Sequence, residues 1–325
     1  MQDCRGEWGN NLMGGSGGSY GGGYSPRRYE EIMRESIDAT RIAEFNNEVN
    51  TGMSELLSDY NDRDSAKVSE HLDRIKSIIE EDMGGTIGMS FGGSVKKHTY
   101  VDGLSDIDVI VTVDRSELID LSPKEILAHI HSKLNNQLND VERMKVGDLA
   151  VTIRFTDGME IQLLPAIQTQ TGLKIADMGS DKWSEIIKPE RFASKLTEVN
   201  QSCGGRVIPV IKLIKGLIAG FPNNRQLTGY HIESMAIEVF ENYPSSLPRA
   251  PKQMLEYFLN NASKLVKKPI KDKTGQSRHV DDYLGDSDSI QRQEISYTID
   301  RVLNRMMNAN QTASAEDWLR IVEGD

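Results

Sequence analysis

Three acidic residues have the types and spacing of a site for a hard divalent cation. Asp106 and Asp108 flank Ile107 at the start of a β-branched run, Ile107 to Val113, that is typical of a strand. Successive side chains of a strand point to opposite faces, so the two carboxylates share one face and Ile107 takes the other. Paired carboxylates suit Mg²⁺, or alternatively Mn²⁺, although an isolated Asp-x-Asp is more typical of a solvated strand face.

Glu160 is the third acid of the predicted site. It lies in the otherwise apolar run Met159 to Leu164, directly after the dipeptide Asp157-Gly158. That dipeptide predicts a β-hairpin whose first strand runs from Val146 to Phe155. A buried, unpaired glutamate is costly, so a metal partner would account for its position. We predict that all three acids are metal ligands and catalytic residues of a two-metal site.

A glycine-serine turn precedes the acids. Gly92-Gly93-Ser94 follows the predicted strand Thr86 to Phe91, and eleven residues separate Ser94 from Asp106. Glycines let a backbone approach a triphosphate, and N–H groups together with the serine hydroxyl can donate to its oxygens. Gly93 and Ser94 are therefore predicted nucleotide-binding residues. Each pattern alone is common, but their combination predicts nucleotidyl transfer.

Helical periodicity surrounds these segments. Helices are predicted at 29–60, 65–81, 207–218, 231–240 and 295–307, and a capping box at Ser122-Pro123-Lys124-Glu125 opens another. The predicted fold is therefore an α/β core with N-terminal helices, followed by a helical part.

Three regions follow from this pattern. Residues 1–28 are predicted to be a flexible Gly-rich tail, because their composition cannot form a core. Residues 29–185 are predicted to form the α/β lobe that carries the chemistry. Residues 186–325 are predicted to form the helical lobe.

Composition argues against several classes of protein. The 325-residue chain has a net charge of −11, which argues against stable nucleic-acid binding as its main role. Two cysteines are too few for a disulfide framework. No apolar run approaches the ~20 residues that span a bilayer, and no secretion signal opens the chain, so we expect a cytoplasmic protein without a membrane association.

The motifs resemble those of a known superfamily. Gly93-Ser94 followed by Ser105-Asp106-Ile107-Asp108 resembles the signature of the DNA polymerase β-like nucleotidyltransferases, and the order is similar to the cGAS/DncV-like members. The run Glu160 to Ala166 resembles their third-carboxylate strand. Val210 to Lys215 resembles a helix whose lysines reach the nucleotide phosphates. Leu227 to Glu233 resembles a segment of the donor pocket. The resemblance implies a bilobed fold, with a nucleotidyltransferase core built on a mixed sheet and a C-terminal helical lobe.

Three further residues are candidates for nucleotide binding. Lys212 and Lys215 lie three apart, on one face of a predicted helix, and are expected to contact phosphates; the alternative is a solvated basic face. Tyr230 is expected to stack on a base, with a core tyrosine as the alternative. Gly229 stands where the family often has serine.

The resemblance also implies an activity. The family joins NTPs into cyclic di- or oligonucleotide second messengers, which implies a role in bacterial antiphage (CBASS-like) signalling with a downstream effector that senses the product. Two alternatives remain at this point: template-independent RNA tailing or protein nucleotidylation by the same chemistry, and a nucleotide-binding module without turnover. The sequence does not indicate base preference, linkage, ring size, activator or oligomeric state.

Overall fold

The computed structural model describes residues 26–62, 64–83, 88–113, 121–177, 180–272 and 278–324. The chain divides into two compact units, residues 1–43 and 44–325. The described part of the first unit, residues 26–43, is the N-terminal part of a long helix. The predicted flexible tail lies outside the described residues up to residue 25.

The described residues alternate between helices and strands in the front part of the chain and are mainly helical in the rest. The helices are α1 (Pro26–Asp59), α2 (Ser65–Met83), α3 (Gly93–Lys96), α4 (Pro123–Gln137), α5 (Pro189–Ser202), α6 (Val207–Ala219), α7 (Gly229–Phe240), α8 (Pro251–Leu265), α9 (Ile290–Thr312) and α10 (Ala315–Glu323). The strands are β1 (Gly88–Phe91), β2 (Ile107–Val113), β3 (Val141–Val146), β4 (Val151–Phe155), β5 (Glu160–Gln168) and β6 (Leu173–Ile175).

The described strands form one mixed sheet in the order β1-β2-β5-β4-β3, and β6 pairs with the end of β5. Strands β2 and β5 are parallel, whereas the other pairs are antiparallel. Ile107 pairs with Ile161, and Asp108 pairs with Gln162. The predicted mixed sheet is confirmed, and this register sets which side chains meet beside the acids.

Local sequence explains two of the connections. Ser122 caps α4 by accepting from the Glu125 N–H, while the Glu125 carboxylate accepts from the Ser122 N–H at 2.8 Å. Gly158 has φ +90°, which a glycine adopts readily, and it turns the chain between β4 and β5. The predicted capping box and hairpin are both confirmed.

The predicted extent of the first hairpin strand is wrong. Val146 ends β3, and the chain turns at residues 147–150 before β4 begins at Val151. The Gly147 N–H closes this turn by donating to the Ala150 carbonyl at 2.8 Å. Strand β3 has mostly exposed polar residues because it lies at the sheet edge, so it lacks the apolar alternation that marks a buried strand.

Two hydrophobic clusters hold the second unit together. In one, the buried face of the sheet, including Ile107 and Val109, packs with α2 and α4. In the other, residues of α5 to α10 pack together with Phe45, Val49 and Met53 of α1. The predicted lobe boundary at residues 185 and 186 stays a prediction. Within the described residues, no helix is long and apolar enough to cross a membrane.

The cap of α4 predicts a measurable loss of stability. Ser122→Ala removes the acceptor for the Glu125 N–H, so the free energy of unfolding should fall by about 1 kcal/mol in urea titrations. Ser132→Ala, an exposed change inside the same helix, is the control and should have little effect. Equal losses for the two variants would contradict the assigned cap.

Candidate active site

The glycine-serine turn is built against the acidic strand. The Gly92 N–H donates to the Asp108 carbonyl oxygen at 2.8 Å, which ties the end of β1 to β2. Gly93 has φ +43°, and a Cβ added there would lie 1.5 Å from Oδ2 of Asp108. Ser94 is buried, and its backbone hydrogen-bonds to the Asp108 carboxylate. Position 93 therefore requires glycine, both for its backbone angle and for the close carboxylate.

Asp106 directly precedes β2 and lies among other polar groups. The Gln162 amide donates to Oδ2 of Asp106 at 2.5 Å, and the Glu160 carboxylate lies close to this aspartate. Burial, followed by the negative charges of Glu160 and Asp108, raises the pKa of Asp106 to about 6. Three adjoining carboxylates therefore repel one another at neutral pH.

Glu160 is neither fully buried nor without a charged neighbour. Its side chain is 30% exposed, and Nη1 of Arg154 lies 3.5 Å from its Oε2. Arg154 comes from the neighbouring position on β4. The inference that a buried, unpaired glutamate requires a metal is therefore wrong, because this glutamate is partly solvated and has a cationic neighbour. Its position next to Asp106 still allows it to act with the other two acids.

Asp108 lies near the ammonium groups of Lys97 and Lys215 rather than near Glu160. Burial raises the pKa of its carboxyl group, and the positive charges of Lys97 and Lys215 act in the opposite direction. The acids therefore form a row, from Glu160 through Asp106 to Asp108, with lysines at one end. Within the described part of the chain, no group of three or more His, Cys, Asp or Glu side chains is arranged to hold a metal ion.

The donor set nevertheless fits a hard divalent cation. All three side chains offer carboxylate oxygens, which Mg²⁺ prefers, and magnesium is commonly held by only one or two carboxylates with water and phosphate oxygens. The raised pKa of Asp106 reflects, besides burial, unbalanced negative charge that a cation would neutralise. Asp106 and Asp108 are the residues best suited to hold it, with Glu160 as a third.

The two predicted lysines reach different cavities. Nζ of Lys215 lies 2.9 Å from the Thr99 carbonyl oxygen and 2.9 Å from Oε1 of Glu233, on the side of the acids. Lys212 instead hydrogen-bonds to Asn61 and lines a second cavity of about 430 Å³. The structure therefore brings Lys215 to the acids and does not bring Lys212. A phosphate role for either lysine stays a prediction.

Tyr230 packs partly against the core and partly faces the cavity beside the acids. The ring packs against Phe192, with centroids 4.7 Å apart, and the hydroxyl donates to Asp272 at 3.2 Å. The residue is only half buried, however, and contributes to the wall of the cavity beside the acids. Stacking of this ring on a base stays a prediction.

These groups surround one cavity of about 380 Å³. Six predicted site residues line it: Gly93, Ser94, Asp106, Asp108, Lys215 and Tyr230. The cavity is bounded by the sheet on one side and by α6 and α7 on the other, and it is large enough for much of a nucleotide. Glu160 adjoins it through Asp106, whereas Lys212 lies elsewhere.

Three residues of this site had no individual role in the sequence predictions, although Gln162 and Glu233 lie in the two runs that resemble the third-carboxylate strand and the donor-pocket segment. Lys97 and Glu233 line the cavity, and Gln162 holds Asp106. Glu233 had a visible signal, because it is the one charged residue in the mostly apolar helical run Ile232 to Ile237. Lys97 had none, since it lies in a polar loop-like stretch, and Gln162 looked like a solvated strand residue.

Comparison with known proteins gives an independent view of the chain. Residues 47–200 match the family model of the Second Messenger Oligonucleotide or Dinucleotide Synthetase domain. No curated protein sequence matches the chain significantly.

Solved structures share the fold. The CD-NTase CdnG of Bradyrhizobium diazoefficiens, in complex with GTP, has a TM-score of 0.64 at 15% identity, over 85% of this chain and 96% of that chain. CdnC of Escherichia coli MS115-1 with ATP has a TM-score of 0.62 at 13% identity, over 85% of this chain and 98% of that chain. The Vibrio cholerae DncV cyclic AMP-GMP synthase, in complex with the linear intermediate 5′ pppA(3′,5′)pG, has a TM-score of 0.60 at 10% identity, over 92% and 89%.

The fold is that of the nucleotidyltransferase core that the motifs predicted. Residues 47–200 match the synthetase domain, and the architecture is similar to that of the CD-NTases, as the resemblance of the motifs to the cGAS/DncV-like nucleotidyltransferases predicted.

The fit of Gly93 against Asp108 generates a prediction. Gly93→Ala should lower the free energy of unfolding by about 1–2 kcal/mol through its left-handed backbone and should also displace the carboxylate. Gly205→Ala is the matched control, since its φ is +78° but no atom lies within 4 Å of an added Cβ. Both variants should unfold at lower urea concentration. Only Gly93→Ala should lose the rise in Tm on adding Mg²⁺ and ATP, and a full rise in that variant would contradict the assigned contact.

Proposed function

We propose that this protein is a Mg²⁺-dependent nucleotidyltransferase that joins NTPs into a cyclic di- or oligonucleotide. The observation that carries the proposal is the single cavity where acids, a glycine-serine turn and Lys215 meet. The synthetase family match supports the product class. Three structures of similar fold hold GTP, ATP or a linear dinucleotide intermediate, which supports NTPs as substrates.

In the proposed nucleotidyl transfer, one set of residues binds the triphosphate and another holds the cations. The glycine turn at Gly93 allows the triphosphate of the donor to approach the backbone, and the Ser94 hydroxyl and Lys215 donate to its oxygens. Asp106 and Asp108, with Glu160, would hold divalent cations. Bound there, such cations lower the pKa of an attacking hydroxyl and stabilise the charge of the leaving oxygen.

The proposed transfer is an in-line displacement. A ribose hydroxyl of the acceptor attacks the α-phosphorus of the donor, a new phosphodiester bond forms, and pyrophosphate leaves. A second transfer within the linear product closes the ring. The half-buried ring of Tyr230 offers a face on which a base can stack.

The biological setting belongs to the same proposal. We expect a cytoplasmic enzyme of bacterial antiphage signalling of the CBASS type, whose product is sensed by a downstream effector. The match to the synthetase domain and the fold shared with CD-NTases support this role. The net charge of −11 favours it over RNA tailing, because an RNA channel relies on positive charge.

Cation binding should stabilise the folded protein. At a Mg²⁺ concentration about 100 times the Kd, a ligand that binds only the native state adds about 2.7 kcal/mol to the free energy of unfolding. Asp106→Asn should abolish the resulting rise in Tm. In EDTA at neutral pH it should itself be more stable than wild type, because the folded state raises the pKa of Asp106 and so disfavours its charged form. An undiminished Mg²⁺ response in this variant would contradict the assigned ligand.

Product formation tests the reaction itself. Wild-type protein incubated with labelled NTPs and Mg²⁺ should form a phosphatase-resistant product whose mass identifies a cyclic nucleotide. Asp106→Asn combined with Asp108→Asn should lower the rate at least ~100-fold, since both principal cation ligands lose their charge.

A second acidic pair provides the control. Asp286→Asn combined with Asp288→Asn changes two exposed acids of the same spacing outside the cavity and should leave the rate unchanged. Elongated RNA ends would favour the tailing alternative instead. Metal-dependent NTP binding without any product would favour a binding module.

A further inference from the structure

The second cavity, of about 430 Å³, receives the lysine that does not reach the acids. Lys212 lines it, is only 9% exposed, and hydrogen-bonds through its ammonium group to the side chain of Asn61. The volume is similar to that of the cavity beside the acids and lies within the usual range for a small-molecule site. This cavity therefore has the size and a buried cationic group that a small anionic ligand requires.

The charge of the second cavity differs from that of the cavity beside the acids. Lys212 and His98 line it, and none of its described lining residues is acidic. Ile208 and Pro209 also line it and lie in the first turn of α6, so the N-terminal end of this helix borders the cavity. Ammonium groups and helix N-termini favour anions, whereas a lining without carboxylates is poorly suited to Mg²⁺. The second cavity is thus suited to an anion that binds without a metal ion.

Aromatic side chains give the second cavity planar faces. Tyr60, directly after α1, and Tyr100, ahead of β2, both line it and are half buried. The hydroxyl of Tyr60 packs against α6 at Gly216, where an added Cβ would lie 2.0 Å from it, so the ring has a fixed position. Tyrosine faces can stack on flat heterocycles such as nucleobases. The cavity therefore suits a molecule that has both a planar ring and an anionic group.

The two cavities share a wall formed by α3 and the residues after it. Ser94 and Lys97 line the cavity beside the acids. Val95, His98 and Tyr100 line the second cavity. His98 has a left-handed backbone, with φ of +59°, which is costly for a residue other than glycine and persists only where the surroundings hold it. A ligand in the second cavity would therefore contact the segment that contains the glycine-serine turn.

We propose that the second cavity binds a nucleoside monophosphate without a metal ion, with its phosphate on Lys212 and its base against Tyr60 and Tyr100. A monophosphate suits a site with one lysine, whereas a nucleoside triphosphate carries more negative charge and is usually bound with Mg²⁺. An aromatic carboxylate shares the ring and the charge, and inorganic phosphate shares only the charge. This site is additional to the one proposed for nucleotidyl transfer.

Occupation of the second cavity should strengthen binding in the cavity beside the acids. A ligand packed on Val95 and Tyr100 restricts the segment that also carries Ser94 and Lys97. A second ligand that orders the same segment then loses less conformational entropy. Because such coupling is reciprocal, a triphosphate beside the acids should tighten monophosphate binding by the same factor.

Calorimetry with AMP in EDTA tests the second site. Without a cation, the adjoining carboxylates of the other cavity repel phosphate, so binding in EDTA reports on the second cavity. AMP should bind at one site per chain. Inorganic phosphate and benzoate should each bind at least ~10-fold more weakly, because one lacks the base and the other lacks the phosphate. A requirement for Mg²⁺, or an AMP affinity no higher than that of phosphate or benzoate, would overturn the proposal.

Substitutions of the lining separate the two parts of the ligand. Lys212→Met should weaken AMP binding about 10- to 100-fold, which corresponds to loss of a charge-assisted hydrogen bond, and Lys212→Arg should retain most of the affinity. Tyr100→Leu should weaken AMP binding about 10-fold and leave phosphate binding unchanged. Lys264→Met, at an exposed lysine of α8 that lines neither cavity, is the matched control and should bind AMP like the wild type. Unchanged AMP affinity in folded Lys212→Met would contradict the assigned phosphate contact.

A photoaffinity probe locates the site in the wild-type protein and covers variants that fail to fold. In EDTA, 8-azido-AMP should label the tryptic peptide 42–63, which contains Tyr60 and Asn61, and excess AMP should prevent this labelling. Peptide 226–249, which contains Tyr230 of the other cavity, is the internal reference and should stay unlabelled. Labelling of peptide 226–249 in place of 42–63 would overturn the proposal.

The same probe measures the coupling between the cavities. The α,β-methylene analogue of ATP with Mg²⁺ should lower the 8-azido-AMP concentration for half-maximal labelling of peptide 42–63 about fivefold or more. An unchanged concentration would contradict the coupling through the shared wall.

The proposed function and this inference fail separately. Labelling of peptide 42–63 without product formation from NTPs would contradict only the function. Product formation without metal-independent AMP binding would contradict only the inference.

Discussion

The parallel pairing of β2 with β5 holds the candidate site together. Its register sets Asp108 opposite Gln162 and brings the start of β5, with Glu160, beside Asp106. The opposite faces of the same strands are buried in the apolar cluster with α2 and α4. Because a shift by one residue would turn the acids into that core, hydrophobic packing on one face fixes the positions of charges on the other.

Charge is distributed unevenly across the cavity that results. Mutually repelling carboxylates lie at the sheet, and two lysines bound to Glu233 lie at α6, α7 and the segment after α3. Asp108 lies between the acidic and the basic region. Burial raises the pKa of its carboxyl group, and the positive charges of the nearby lysines oppose that shift. Such a site gains most from a ligand that carries both cations and anionic oxygens.

The hydrogen-bond partners of two similar lysines explain why their ammonium groups reach different cavities. Lys212 and Lys215 are separated by one helical turn of α6, and both side chains are almost fully buried. A lysine stem is long enough for its ammonium to lie several ångströms from its own helix face. The Lys212 ammonium hydrogen-bonds to Asn61, which precedes α2. The Lys215 ammonium hydrogen-bonds to Thr99 and Glu233, on the side of the acids. Spacing along a helix therefore could not decide which lysine reaches the cavity.

Local rules account for what the sequence by itself determined. Strand alternation fixed the shared face of Asp106 and Asp108, the Ser122 capping box fixed the start of α4, and helical periodicity located α6, α7 and α9. These features depend on neighbours within a few residues, so the order of residues is sufficient. The edge strand β3 was missed because solvent, not a core, covers its polar side chains.

Tertiary structure alone decided the partners of each charged group. The pairing of Glu160 with Arg154, the amide of Gln162 on Asp106, and the burial of Glu233 between its lysines all join residues from different elements. Their energies depend on distance and on the exclusion of water, and both arise only when the sheet and the helices pack. For this reason the acids and the glycine turn were predictable from sequence, whereas the arrangement of charges around them was not.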